Sequence, residues 1–287
     1  MVILEKFRLH FFKEQTRKID IKATISFFET IEGFKIESDD KSFRFLYKDP
    51  RLQYEARFLI MPKSQVKDIY RLNPKFLDIN FQLELPLLSP NYFVEKMIDI
   101  VKKLTERFDY YIYHETFENV LNFRRDLVLK VFMLLKERHI ELNPRLLDHY
   151  VLVETNKLSS VLRYIEDNLE LQKFYQQSNT YVPHYHFLIN NEQQLKLAFE
   201  WRYDTLTVLP PNLDYIFLNR GSDISIIKYN EFFELAKKYL EDVPGFIKNT
   251  KVVQANNLKK INKILKRKKF SEVLDVFSNI DHTKLLD

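Results

Sequence analysis

No cysteine occurs among the 287 residues of the chain. Disulfides, thiolate metal ligands and cysteine nucleophiles are therefore excluded, and the lack of disulfides is consistent with the cytosol. The sequence has no run of about 18 apolar residues that would span a bilayer. Its first residues carry charges within their apolar part and lack the small-residue cleavage site of a signal peptide. We expect a soluble protein located in the cytoplasm.

Glycine is almost as scarce, and only Gly33, Gly221 and Gly245 are present. Phosphate loops and dinucleotide-binding turns need clustered glycines, because backbone amides must approach the phosphate without a Cβ atom in the way. The chain has no such cluster, no G-x-S-x-G elbow and no H-E-x-x-H helix. These absences argue against Walker-type NTPases, Rossmann enzymes, protein kinases and two common hydrolase designs. We predict no cofactor.

What the chain does have is a globular composition with an uneven charge. Apolar residues make up 45% and charged residues 30% of the sequence, which is typical of a folded protein. The formal net charge is +5, and residues 251–287 carry nine basic and four acidic side chains. Residues 1–250 are therefore neutral overall. The charge predicts a neutral body with a basic C-terminal end.

The first half of the sequence reads as strand, helix, four strands, helix, strand and helix. In the first strand, Phe7, Leu9 and Phe11 alternate with polar residues, which predicts one wet face. Asp20 is a predicted N-cap of the first helix. The remaining elements are predicted as strands at 34–38, 43–47, 54–61 and 76–85, a helix at 90–108, a strand at 110–113 and a helix at 117–139.

Two adjacent arginines, Arg124 and Arg125, fall inside the last of these predicted helices. We expect one of them to pair with Asp126 or Glu118. The alternative is an anion-binding position.

After Asn143-Pro144, the second half of the sequence begins the same order of elements again. Strands are predicted at 150–154, 181–189, 195–203, 213–218, 224–229 and 246–253, and helices at 157–174, 231–241 and 257–270. The sequence therefore predicts an α+β fold of two mixed lobes with mainly antiparallel sheets. The repeated order is consistent with an internal duplication, but short strands and helices of any α+β chain can be aligned by coincidence. The predicted boundaries are 1–143 for the first lobe, 144–250 for the second and 251–287 for a basic helical tail.

The strand–helix–strand–helix order from Phe76 to His139 resembles the split β-α-β module of many interaction domains. The resemblance covers about 60 residues and consists of the pattern alone, without a sequence motif. It implies a fold for this segment and assigns no functional residue.

The best candidates for catalysis or metal binding lie on two strands of the second half. His184 and His186 share one strand face, a spacing at which two imidazoles can hold one metal, as in the metal-binding strand of cupins. The expected acid is missing, since Asn190 and Asn191 occupy the positions where it should stand. We therefore predict no metal site and two histidines on a wet strand face. In the next strand, Glu200, Arg202 and Asp204 are more typical of a charge ladder than of an acid/base pair.

The segment from Asn257 to Phe270 is the most basic part of the chain. It predicts an amphipathic helix with a narrow apolar stripe of Leu258, Ile261, Ile264 and Leu265. The candidate anion- or nucleic-acid-binding residues surround this stripe: Lys259, Lys260, Lys263, Lys266, Arg267, Lys268 and Lys269. Such a helix can contact phosphates, an anionic membrane surface or an acidic protein, or can be a solvated face. A second short helix is predicted at 271–277.

Three functions remain open from the sequence. The first is a non-catalytic protein-interaction or scaffold protein, because every conspicuous residue has a structural explanation. The second is a nucleic-acid-associated protein that binds RNA or DNA through the basic C-terminal helix. The third is an enzyme with an unfamiliar site between the lobes, where His184, His186, Glu200, Arg202 and Asp204 are the candidate residues.

Overall fold

The chain divides into two compact units, Met1–Asp148 and His149–Asp287. The structure is a computed structural model, and it describes residues 5–15, 20–245, 247–267 and 269–287. Each unit combines helices with β-sheet, so the predicted α+β class is confirmed.

The described residues of the first unit form one antiparallel sheet. Its strands are β1 (Lys6–Glu14), β2 (Phe34–Ser38), β3 (Phe43–Lys48), β4 (Glu55–Ile60), β5 (Phe76–Pro86) and β6 (Tyr111–Tyr113). Its helices are α1 (Ile21–Glu29), α2 (Asn91–Phe108) and α3 (Arg125–Leu142). The strand order is β2-β3-β4-β5-β1-β6. The order of elements along the described residues of this unit is the order that the sequence predicted.

The segment from β5 to β6 forms a split β-α-β arrangement. β1 pairs antiparallel with β5 on one side and with β6 on the other. β5 and β6 therefore run in the same direction, with β1 inserted between them and α2 as their connection. This is the arrangement that the pattern from Phe76 to His139 predicted.

The alternation of buried apolar and more exposed polar side chains along β1 distinguishes the two faces of this sheet. Phe7, Leu9 and Phe11 are fully buried, and they lie opposite apolar residues of β5. Arg8 is exposed on the other face. The register shifts between Phe11 and Phe12, and around this bulge the consecutive residues from Leu9 to Lys13 are all buried.

In the first unit, the start of the last helix was predicted wrongly. α3 begins at Arg125 and not at Phe117, and Leu121 instead bridges to Ile112 beside β6. Arg125 lies at the first helical position and forms ion pairs with Glu95 (3.1 Å) and Asp99 (3.0 Å) of α2. The predicted partners, Asp126 and Glu118, were therefore wrong for Arg125, because its nearest acids come from another helix and not from its own segment.

The described residues of the second unit form three separate sheets. Its strands are β7 (Val151–Leu152), β8 (His186–Ile189), β9 (Leu195–Arg202), β10 (Val208–Leu209), β11 (Tyr215–Asn219), β12 (Ile224–Lys228), β13 (Leu240–Asp242), β14 (Lys251–Val253), β15 (Ser278–Asn279) and β16 (Leu285–Leu286). Its helices are α4 (Thr155–Tyr175), α5 (Tyr229–Ala236) and α6 (Ala255–Arg267). The sheet orders are β12-β11-β9-β8-β15, β10-β14-β13 and β16-β7.

The internal duplication is not confirmed. In the first unit the opening strand, β1, is an interior strand of the sheet. In the second unit the opening strand, β7, pairs in parallel with β16, at the other end of the unit's sequence. β9 and β11 also run parallel, whereas all strand pairs described in the first unit are antiparallel.

The helix predicted at 271–277 is absent, and these residues cross one face of the five-stranded sheet without regular structure. Val273 and Phe277 pack against a cluster of Leu188, Ala198 and Tyr215. Between them, Leu274 and Val276 are exposed. The segment therefore alternates inward and outward with the period of an extended chain. Apolar residues at both kinds of position concealed this period in the sequence.

Candidate functional site

The basic helix α6 docks on the second unit through its apolar stripe. Ile261 is 0% exposed and Leu265 is 2% exposed, while Leu258 and Ile264 are partly buried. The helix contacts α5, β14 and the turn at Lys237–Tyr239. Polar contacts add to this packing, since Asn262 Nδ2 donates to Asp204 Oδ1 (2.5 Å) and Arg220 Nη2 donates to the Leu265 carbonyl (3.5 Å). The apolar face of α6 is therefore buried against the core of the second unit itself.

Docking of that stripe leaves a basic outer face. Lys259, Lys263 and Lys266 are all exposed, and their i, i+4, i+7 spacing places them in one row on the side opposite Ile261. The row extends about 10 Å along the helix axis, at 1.5 Å per residue. Lys260 lies on the flank of this face and Lys269 is exposed beyond the helix end. We call Lys259, Lys263 and Lys266 the lysine row.

The lysine row has no acidic partner within the described part of the chain. Acids on the neighbouring elements are bound to other groups instead. Asp204 accepts from Asn262, Glu241 accepts from Gln254, and Asp242 pairs with Lys251 at 2.6 Å. The positive charge of the row is therefore not neutralised by the described residues of the unit.

An aromatic ring lies beside the flank of α6. Lys260 Nζ is 5.2 Å from the centre of the Tyr239 ring, and Lys238 Nζ is 5.0 Å from the same centre. Both distances are within the range of a cation–π contact. Lys238 thereby extends the basic surface from α6 onto the adjacent turn.

Sequence reasoning missed this extension. It predicted one continuous helix over 231–241, which would have assigned Lys238 and Tyr239 to α5. The structure ends α5 at Ala236 and begins a short 3-10 turn at Lys237. No local signal marks this turn in the sequence, since Lys, Lys and Tyr are all compatible with a helix.

Two of the predicted binding residues cannot be placed. Lys268 lies outside the described residues, and so does the side chain of Arg267, whose backbone ends α6. The candidate site as described therefore consists of Lys259, Lys260, Lys263, Lys266 and Lys269.

The candidates for catalysis lie in unrelated surroundings. His184 and His186 are both exposed, and no group of three or more His, Asp or Glu residues able to hold a metal occurs in the parts of the chain that the structure describes. Glu200 Oε1 accepts from Asn219 Nδ2 at 2.9 Å, and the Arg202 guanidinium lies 5.6 Å from the Tyr181 ring centre. Asp204 is bonded to α6 instead. Glu200, Arg202 and Asp204 therefore each contact another residue of the second unit.

No family model, curated protein or solved structure matches this chain. Among the helices of the described residues, none has the length and apolar character needed to cross a membrane.

Proposed function

We propose that the protein is a non-catalytic binding protein whose second unit binds nucleic acid through the outer face of α6. The observation that carries the proposal is the lysine row, an aligned set of three exposed cations without an acidic partner among the described residues. A row of about 10 Å is long enough for its three ammonium groups to contact more than one phosphate of a nucleic-acid strand.

The docking of α6 disfavours a membrane as the partner. An interfacial helix binds lipid by burying its apolar face among the acyl chains. In α6 that face holds Ile261 and Leu265, which are already buried within the unit. Membrane insertion would have to remove both residues from this core, whereas phosphate binding uses only side chains that are already exposed.

If the lysine row binds nucleic acid, the affinity should depend on salt concentration, and this dependence should weaken when the three lysines are replaced. Binding of a fluorescent duplex DNA and a single-stranded RNA would be measured by anisotropy over a range of salt concentrations. For a variant with Lys259→Gln, Lys263→Gln and Lys266→Gln, we expect the log–log salt slope to fall in magnitude by about 2.7 on duplex DNA and about 2.1 on single strands, from 0.9 or 0.7 per phosphate contact. The affinity of this variant for both nucleic acids should also be lower than that of the unmodified protein.

A matched control separates the lysine row from general charge. Lys22, Lys41 and Lys103 are exposed and form no ion pair with the described residues, so their triple replacement by Gln removes the same charge from the first unit. We expect this variant to keep the slope of the unmodified protein. Equal losses in the two variants, or no binding to either nucleic acid, would contradict the proposal.

A protein partner is the second candidate, and the edge of the five-stranded sheet favours it. β12 is the last strand of that sheet, with no further described strand on its outer side. Ile224 and Ile226 on this strand are 62% and 37% exposed. A free strand edge with apolar side chains is suited to an extended peptide of another protein, which would add one strand.

The two candidates give different results in a pull-down with the full chain. A protein partner bound at β12 should stay bound after nuclease treatment and should be lost with Ile224→Lys. Material that is released by nuclease, and that Ile224→Lys leaves in place, would count against this second candidate.

A further inference from the structure

A polar recess of the first unit is lined by the side chains of Lys6, Arg8 and His10, which alternate along β1. Its volume is about 130 Å³, and its wall includes Lys6, Arg8, His10, Lys67, Tyr113 and His114. This volume is well below the 300–1,000 Å³ that is usual for small-molecule sites. The recess therefore suits an ion of a few heavy atoms better than a nucleotide.

His10 is the most unusual group in the wall. His10 is only 9% exposed, and its ring nitrogens have no hydrogen-bond partner among the described residues. Burial, followed by the nearby His114 and Arg8, lowers the pKa of His10 to about 4. At pH 7 the ring is therefore neutral, with one N–H donor and one acceptor nitrogen beside the recess.

Several other donors around the recess have no partner in the described chain. Arg8 Nε donates to Glu84 Oε1 (3.2 Å), and neither Nη group of Arg8 has a partner among the described residues. Lys67 is exposed and unpaired within the described residues. His114 Nδ1 accepts from the Thr116 amide at 3.1 Å, so the neutral ring carries its proton on Nε2.

The acids near the recess are mostly engaged. Glu84 is bound by Lys6 (2.9 Å) as well as by Arg8, and these contacts hold the pKa of Glu84 below its usual value although burial acts to raise it. Glu5 Oε2 lies 2.8 Å from His139 Nδ1. Glu115 is exposed at the wall. The wall therefore holds three cations, Lys6, Arg8 and Lys67, and two acids, Glu5 and Glu115, and the occupant that complements this excess of positive charge is one that accepts hydrogen bonds.

We propose that this recess binds a small oxyanion of the phosphate type, with Arg8, His10 and Lys67 as its principal donors. An oxyanion offers acceptors on every side and a charge that Lys67 and Arg8 can offset. The proposal concerns the first unit and does not depend on nucleic-acid binding by α6.

The test uses the full chain, inorganic phosphate and NMR of the histidine rings. The ring signals of His10 and His114 should shift in a saturable manner with phosphate, and sodium chloride at equal ionic strength should not reproduce the shift. Lys67→Gln should weaken phosphate binding about tenfold, as expected for the loss of one charge-assisted contact. The variant without the lysine row should behave like the unmodified protein.

Lys63→Gln is the matched control for Lys67→Gln. Lys63 lies four residues away in the same connection, is exposed and does not line the recess. We expect its replacement to change the affinity less than about twofold, as for other surface charges. Equal weakening by both variants would show surface screening only. Absence of any shift at tens of millimolar phosphate would show a recess filled by water, and either result would overturn the proposal.

Discussion

Replacement of Phe28 by alanine is expected to destabilise the first unit by about 3–5 kcal/mol. Phe28 is 0% exposed, and it lies in α1 with its ring facing the sheet. Its ring centre is 4.3 Å from that of Phe45, 4.8 Å from that of Phe34 and 5.0 Å from that of Phe58. The alanine variant loses these contacts and leaves a cavity that the rigid sheet cannot close.

The effect should be measured by hydrogen exchange of the peptides that contain β3 and β4. This readout is local to the first unit, whereas the only tryptophan, Trp201, lies in the second. Tyr70→Ala is the control, because Tyr70 is an aromatic residue of the same unit that is 76% exposed. We expect the control to change the free energy of unfolding by less than about 0.5 kcal/mol. Similar effects of the two variants would show that Phe28 is not central to the core.

Replacement of Asp49 by alanine is expected to cost about 3 kcal/mol of stability at pH 7. The Asp49 side chain is 1% exposed. Its Oδ1 accepts from the amides of Arg51 (3.0 Å) and Leu52 (2.8 Å), and its Oδ2 accepts from Lys96 Nζ at 2.7 Å. Alanine removes the contacts that fix the turn after β3 and the contact that joins this turn to α2.

The loss should depend on pH in a defined direction. Burial acts to raise the pKa of Asp49, but the hydrogen bonds from Leu52, Lys96 and Arg51 outweigh it and hold the pKa below its ordinary value. The carboxylate therefore contributes stability above its unfolded pKa of about 3.9, and this contribution is lost as the pH falls through the lower folded value. The difference in the free energy of unfolding between the unmodified protein and Asp49→Ala should be large at pH 7, and it should shrink as the pH falls below about 3.9 and through the lower folded pKa of Asp49.

Asp39 provides a matched control for the turn itself. Asp39 Oδ1 accepts from the amides of Lys41 (3.0 Å) and Ser42 (2.8 Å), which is nearly the same geometry as in the Asp49 turn. Its side chain is 57% exposed, and the closest cation is Arg44 at 3.8 Å. Asp39→Ala should therefore destabilise the protein clearly less than Asp49→Ala. Equal losses would mean that burial and Lys96 add nothing at Asp49.

Elements with a clean alternation were predicted well, and those that depend on distant partners were not. The Asp20 cap is confirmed, since Asp20 Oδ1 accepts from the Ala23 amide at 2.9 Å. In contrast, the strand predicted at 150–154 is only Val151–Leu152, because its extent is set by pairing with Leu285 and Leu286. Pairing partners more than 130 residues apart leave no local pattern that fixes the length of a strand.

The candidate site was predicted in the same uneven way. The sequence indicated which face of α6 is apolar, and the structure buries Ile261 and Leu265 on that face. It did not indicate the contact with Tyr239 or the ion-pair partners of nearby acids, because these depend on which elements pack together. Nucleic-acid binding by the lysines stays a prediction.

The sequence by itself determined the α+β class, the alternation of most strands and the concentration of positive charge in residues 251–287. These properties follow from residue type and spacing, which act over a few neighbouring positions. Only the tertiary structure decided that β1 lies inside its sheet while β7 pairs with β16, and that the buried His10 lines a recess together with Arg8 and Lys67. The physical reason is that pairing and burial depend on contacts between residues far apart in the chain, which no local period encodes.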